Sequence, residues 1–205
     1  MRVAIVGAGI GGLALAAGIG ATGAEVTVFE KGRPGGTSGL GLTLFPNGFR
    51  ALDSLGLKDP VREACGDSAP PANSGLRRPD GRWLVRGRER ATRGVRVVDR
   101  VALHGALRAG LPEDVVAYER RVEWCAGREI TFGDGSVVGD FDLIVGADGL
   151  RSIARRSVWG PDDPGTRTAG YFACRGITEH PVVVVSGGET WGRGLRFGIA
   201  PLADG

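Results

Sequence analysis

The run Gly7-Ala8-Gly9-Ile10-Gly11-Gly12 has the spacing of a turn that holds a pyrophosphate. Gly7 permits a tight turn out of a strand. Gly9 lets a phosphate approach the backbone, and Gly12 lets the next helix pack close, with its N-terminal N–H groups facing the anion. With 37 glycines in 205 residues, such a pattern alone is weak. Its surroundings strengthen it. RVAIV before it reads as a buried parallel strand, Gly12 to Thr22 as a helix, and EVTVFE at Glu25 to Glu30 alternates as a second strand. Glu30 stands 23 positions after Gly7, near the ~20 expected for a carboxylate that holds a ribose hydroxyl pair. That carboxylate repels a 2′-phosphate, so the expected dinucleotide is FAD or NAD rather than NADP.

A second constellation is FDLIVGADGLRSIAR, Phe141 to Arg155. It reads as a strand ending in Asp148-Gly149, then a helix starting near Ser152. An Asp at the carboxyl end of a parallel strand is placed to meet a ligand hydroxyl. It is equally placed to cap the next helix, and the two readings stand even.

Other chemistry has little material. His104 and His180 are the only histidines, which leaves no multi-His metal site, and no metal is expected. His104 reads as surface or packing and His180 as a turn residue. Cys65, Cys125 and Cys174 are odd in number and form no C-x-x-C, against both a disulfide framework and a zinc knuckle. Cys125 reads as a packed thiol. Eight Arg fall between Arg77 and Arg96, with Trp83 the one aromatic among them. That stretch reads as a solvated surface rather than a nucleic-acid footprint.

The elements that position these residues follow from pattern. At roughly 150 residues per domain, 205 residues predict one domain or a little more. Lys31 to Gly41 is a Gly-rich loop with Pro34 and Thr37. Pro46 suits a first helical turn, and Pro60 to Ala64 suits another helix. Asp67 to Asn73 is a connector. Arg77 to Val85 is a hairpin turning at Asp80-Gly81, and Glu129 to Val138 a second one at Gly133-Asp134-Gly135. Asp99 to Ala109 has helical periodicity, and Val182 to Val185 is strand-like. The fold class is α/β: a Rossmann-like dinucleotide-binding domain with a parallel sheet over 1–160, with 74–97 contributing to a second sheet. Pro161 to Pro164 marks a boundary, and 161–205 is the start of a second, mixed-sheet domain. Formal net charge is +3, with 24 Arg and 2 Lys. The apolar N-terminal stretch is dense in Gly and breaks into strand and helix periods, so neither a signal peptide nor a membrane span is expected. The expected location is cytoplasmic.

Taken together, these residues resemble the FAD-dependent monooxygenases of the para-hydroxybenzoate hydroxylase type, over their N-terminal half. The resemblance rests on GAGIGG with Glu30 and Lys31, and on Gly39-Leu40-Gly41-Leu42 with Pro46-Asn47-Gly48. It rests also on Arg100 with Leu103 and Leu107, and on Asp148-Gly149 with Ser152 and Arg155. It implies that 1–160 is a Rossmann-like FAD-binding domain and 161–205 the start of a substrate domain, and that Gly7, Ala8, Gly9 and Gly12 hold the pyrophosphate of FAD. Glu30 would bind the adenosine ribose with Lys31 beside it, and Gly41 would lie near the flavin. Arg100 would reach the ribityl chain or a phosphate. Asp148 would support FAD and the approach of the nicotinamide cofactor.

The implied chemistry is hydroxylation of an aromatic or similarly electron-rich small molecule, with NADH or NADPH as reductant and oxygen as co-substrate. The family's later Gly-Asp fingerprint has no counterpart, since Gly66-Asp67 and Gly139-Asp140 lie in another context. A fragment, a truncated product or one half of a split protein is therefore expected. A C-terminal half or a second copy is the expected partner, with no nucleic acid and no membrane. No catalytic acid or base is assigned. Two alternatives stay open: another flavin oxidoreductase of this fold, such as an epoxidase or ene reductase, and a non-catalytic nucleotide-binding module.

Overall fold

A computed structural model describes residues 1–36, 39–66 and 68–202. Thr37 of the Gly-rich loop, Asp67 of the connector and the terminal Asp204-Gly205 lie outside the described residues. In chain order the elements are β1 (Arg2–Val6), α1 (Ile10–Gly20), β2 (Glu25–Phe29), β3 (Leu42–Leu44), α2 (Pro46–Ser54) and α3 (Lys58–Cys65). There follow β4 (Gly75–Arg77), β5 (Trp83–Arg86), α4 (Glu89–Thr92), β6 (Arg96–Val98), α5 (Arg100–Ala109) and β7 (Val116–Ala117). The remainder are β8 (Val122–Ala126), β9 (Glu129–Phe132), β10 (Val137–Val138), β11 (Leu143–Gly146), α6 (Ile153–Trp159), β12 (Gly188–Trp191) and β13 (Arg196–Ile199). The chain forms two compact units, Met1–Thr37 with His104–Cys174, and Ser38–Leu103 with Arg175–Gly205.

The first unit holds the expected parallel sheet, in the order β11-β1-β2-β7. Strand β1 sits between β11 and β2, with Val6 beside both Gly146 and Phe29. After Arg2 the β1 sequence is apolar because both sheet faces are covered. Val3, Ala4 and Ile5 are fully buried. On one face α1 packs against β1 and β2, burying Gly12, Leu13 and Ala16. On the other, Ala4, Val6 and Phe29 join Val122, Ile130, Phe132 and Phe141 in one cluster. The latter group comes from the antiparallel sheet β10-β9-β8 and the lead-in to β11. Phe29 meets Phe132 edge-on at 5.0 Å and Phe141 at 6.0 Å between ring centroids, the arrangement that aromatic quadrupoles favour.

The second unit holds a mixed four-stranded sheet, β13-β12-β4-β5, in which β12 runs parallel to β4 and the other pairs are antiparallel. In a two-stranded antiparallel ladder, β3-β6, strand β3 leads into α2 and strand β6 packs against α3. Pro46 opens α2 at its first position, where the missing N–H costs nothing. The hairpin turn is where pattern placed it. Gly81 has a φ of +85°, and Asp80 Oδ1 accepts the Arg82 N–H at 3.0 Å.

Two expectations need correction. Val182 to Val185 form no strand; the strand comes later, at Gly188–Trp191. β-branching favours a pleated, half-buried surface only where a partner ladder exists, and Val183 and Val185 are 87% and 77% exposed. Strand β11 begins at Leu143, two residues after Phe141. Phe141 serves instead as a buried plug. No helix among the described residues is long and apolar enough to cross a membrane.

Candidate dinucleotide-binding site

The glycine turn is shaped by close approach. Gly7 has a φ of +104°, and a Cβ there would lie 2.7 Å from the Ala147 carbonyl oxygen. A Cβ on Gly12 would lie 2.0 Å from the Gly7 carbonyl oxygen. Gly9 is different: nothing stands within 4 Å of its Cβ position, so its outer face is open. Gly9 is also the N-cap of α1 and supplies no side chain to that helix end. The first-turn N–H groups have no intrahelical partner, so they can receive an anion. An open glycine over an uncapped helix start fits a dinucleotide pyrophosphate.

Glu30 follows β2 and turns its carboxylate back onto the turn. Oε2 accepts the Ala8 N–H at 2.9 Å and Oε1 the Gly32 N–H at 2.7 Å. A carboxylate offers about four acceptor positions, so acceptors remain for a ribose diol. Lys31 is exposed beside it.

The second turn stands next to the first because β11 pairs with β1. The Ala147 N–H donates to the Val6 carbonyl at 2.8 Å. Asp148 displays the capping geometry: Oδ1 accepts the Ser152 hydroxyl at 2.6 Å, while Oδ2 accepts the N–H of Ile153 at 2.5 Å and of Ala154 at 3.2 Å. Ser152 is the N-cap of α6 and accepts the Arg155 N–H at 2.9 Å. Between α1 and the second turn, an open cleft of about 620 Å³ is lined by Gly11 and Leu15 and by Ala147, Asp148 and Gly149. Gly7, Ala8, Gly9, Gly12, Glu30 and Asp148 therefore belong to one compact unit.

Gly41 and Arg100 belong to the other unit. A Cβ on Gly41 would stand 3.2 Å from Leu202 and 3.4 Å from Val97. Arg100 opens α5, whose N–H groups at Val101 and Ala102 donate to Asp99 Oδ1 at 2.8 and 2.9 Å. Gly39, with a φ of +153°, has its Cβ position 2.5 Å from Arg100 Cδ, so only Gly lets that side chain lie there.

One residue at the turn was not identified from the sequence. His104, in the second turn of α5, places Nε2 2.7 Å from the Ala8 carbonyl oxygen. No spacing rule joins positions 8 and 104. Cys125 is half-buried, and its thiol is pushed above its ordinary value, first by burial and then by the Asp148 charge. It stays a thiol at neutral pH, as a packed one would.

Residues 5–50 match the family model described as an NAD(P)-binding Rossmann-like domain. The chain is 35% identical over 201 residues to the 3-amino-4-hydroxybenzoate 2-monooxygenase of Streptomyces cremeus, an alignment covering 89% of this chain and 48% of that protein. It is 32% identical over 212 residues to the 2-heptyl-3-hydroxy-4(1H)-quinolone synthase of Pseudomonas aeruginosa, covering 99% of this chain and 54% of that one. The solved structure of Klebsiella pneumoniae HpxO complexed with FAD and uric acid is similar with a TM-score of 0.64 at 26% identity, over 76% of this chain and 41% of that chain. The chain spans about half the length of the curated relatives it matches. The resemblance read from its motifs is borne out over that half.

Proposed function

We propose, from the similarity of this chain to FAD-dependent aromatic monooxygenases, that it is the dinucleotide-binding half of such an enzyme. The whole would use NADH or NADPH and oxygen to hydroxylate an aromatic or similarly electron-rich small molecule. The observation that carries the reading is the pair of turns after β1 and β11. Both sit at the carboxyl ends of adjacent parallel strands, where open α/β sheets take their ligands.

Bound FAD would supply the electron transfer and the activation of oxygen. The chain's own residues bind and orient. Gly7, Ala8, Gly9 and Gly12 would hold the pyrophosphate against the α1 N-terminus. Glu30 would accept the adenosine ribose hydroxyls, with Lys31 beside it. Asp148 would act through the helix start it caps. Gly41 and Arg100 would serve the flavin end. The mixed sheet containing β4, β5, β12 and β13 would begin the substrate domain, so that 1–160, less the 74–97 contribution, is the FAD-binding domain and 161–205 opens the second. The proposed location is cytoplasmic, and the proposed partner is a C-terminal half or a second copy.

Titration of the chain with FAD, followed by flavin fluorescence, tests the reading. One-to-one saturable binding is expected. It should fall at least about 100-fold in Gly12→Val, whose new side chain strikes the Gly7 carbonyl. Equal affinity in wild type and G12V would overturn it.

A further inference from the structure

We propose that His104 is a positioning residue for the glycine turn, fixing the Ala8–Gly9 peptide so that the Gly9 N–H faces the dinucleotide. The inference rests on the reading that this turn takes FAD. It starts from two hydrogen bonds on one residue. The Ala8 N–H donates to Glu30 Oε2 at 2.9 Å, and the Ala8 carbonyl lies 2.7 Å from His104 Nε2. A carbonyl oxygen only accepts, so Nε2 is the ring nitrogen that carries the proton of this bond.

A trans peptide is planar, with its C=O and N–H pointing opposite ways. Holding the Ala8 carbonyl on α5 therefore turns the Gly9 N–H away from α5. Holding the Ala8 N–H on Glu30 likewise turns the Gly7 carbonyl away, toward the spot where a Cβ on Gly12 would meet it at 2.0 Å. Two successive peptides of the turn are thus oriented by two side chains, Glu30 from β2 and His104 from α5. Packing does not do this at Gly9, which has no side chain and open space over its α-carbon. Ala8 itself is 3% exposed, so water is a poor substitute for the imidazole. Helix α5 is held for the task. Leu107, one turn beyond His104 in the same unit, is fully buried and anchors this part of the helix.

The test compares FAD affinity and NMR spectra of the wild-type chain with those of His104→Leu and His104→Gln. Leu fills similar volume without a donor, while Gln restores an N–H near the Nε2 position. Leu is expected to weaken FAD binding about 10- to 100-fold, the effect of one lost buried partner, and Gln to recover most of it. In the ligand-free wild type, the His104 ring should be the Nε2–H tautomer. The Gly9 amide resonance should move in H104L and stay near its wild-type position in H104Q. Wild-type affinity in H104L, a Gln variant as weak as Leu, or an Nδ1–H ring would each overturn the proposal. If the wild-type chain binds no FAD, the FAD reading fails, and the ring tautomer and Gly9 amide still decide whether His104 orients the peptide.

Discussion

Glu30 and Asp148 are both carboxylates at strand ends, and the structure uses both on backbone N–H groups. Glu30 keeps acceptor positions free for a ligand while bracing the turn. Asp148 spends both oxygens on the start of α6. Replacing Asp148 with Ala is expected to lower unfolding free energy by roughly 0.5–2 kcal/mol, the usual cost of a lost cap, measurable by urea denaturation. If Asp148 also touches the dinucleotide, D148A will weaken FAD affinity beyond what the stability loss explains; unchanged affinity would confine it to capping. The sequence left these two readings of Asp148 even, because an Asp before a helix satisfies both. Glu30 was legible because its spacing from Gly7 is set by one βαβ unit. His104 was not, because its contact joins residues 96 positions apart in sequence through α5.

Elements with a strong local pattern came through. β1, α1 and β2 follow from alternating and continuous apolar runs, and α5 from the helical periodicity that includes Leu103 and Leu107. The hairpin of β9 and β10 follows from its Gly-Asp-Gly turn, where Gly135 has a φ of +80°. The short strands β3, β6 and β7 carry two or three residues each, too few for periodicity to register. Val182 to Val185 show the converse, where propensity without a partner gives no ladder. The aromatic cluster that joins the meander β10-β9-β8 to the parallel sheet should carry much of the first unit's stability. Phe132→Ala removes a 1%-exposed ring in edge contact with Phe29 and is expected to cost about 3–5 kcal/mol, read as a lower denaturant midpoint.

From the first turn of α6, Arg155 Nε donates to Asp163 Oδ1, beyond the helix's other end, at 2.8 Å. That bond, followed by the Gly165 N–H, holds the Asp163 carboxyl below the usual carboxylate range. A carboxylate depressed in the folded state stabilises at pH above its unfolded value and loses that contribution as pH falls through its folded value. Asp134 and Asp142 are depressed for similar reasons, the first chiefly by the Ser136 hydroxyl and the second chiefly by the Arg2 N–H. Thermal midpoints are therefore expected to drop on acidification through the carboxylate range. Asp163→Asn should flatten that drop; an acid limb unchanged in D163N would contradict the assignment.

At the scale of the whole molecule, the α/β class and the parallel sheet were legible because the two turn motifs demand adjacent parallel strands. The pairing of β4 with β12, about a hundred positions apart, was not legible from local pattern. The two compact units cut the sequence at Thr37 and Leu103, inside the expected first domain, because the segment between them builds its own sheets. Similarity to monooxygenases over about half their length makes flavin retention the central question for this chain. The visible absorption spectrum of the purified chain, desalted after incubation with FAD, answers it most directly. A protein-bound oxidised-flavin spectrum at about one flavin per chain is the expected result. A colourless protein after the same treatment would contradict the claim that these two turns hold FAD in this chain.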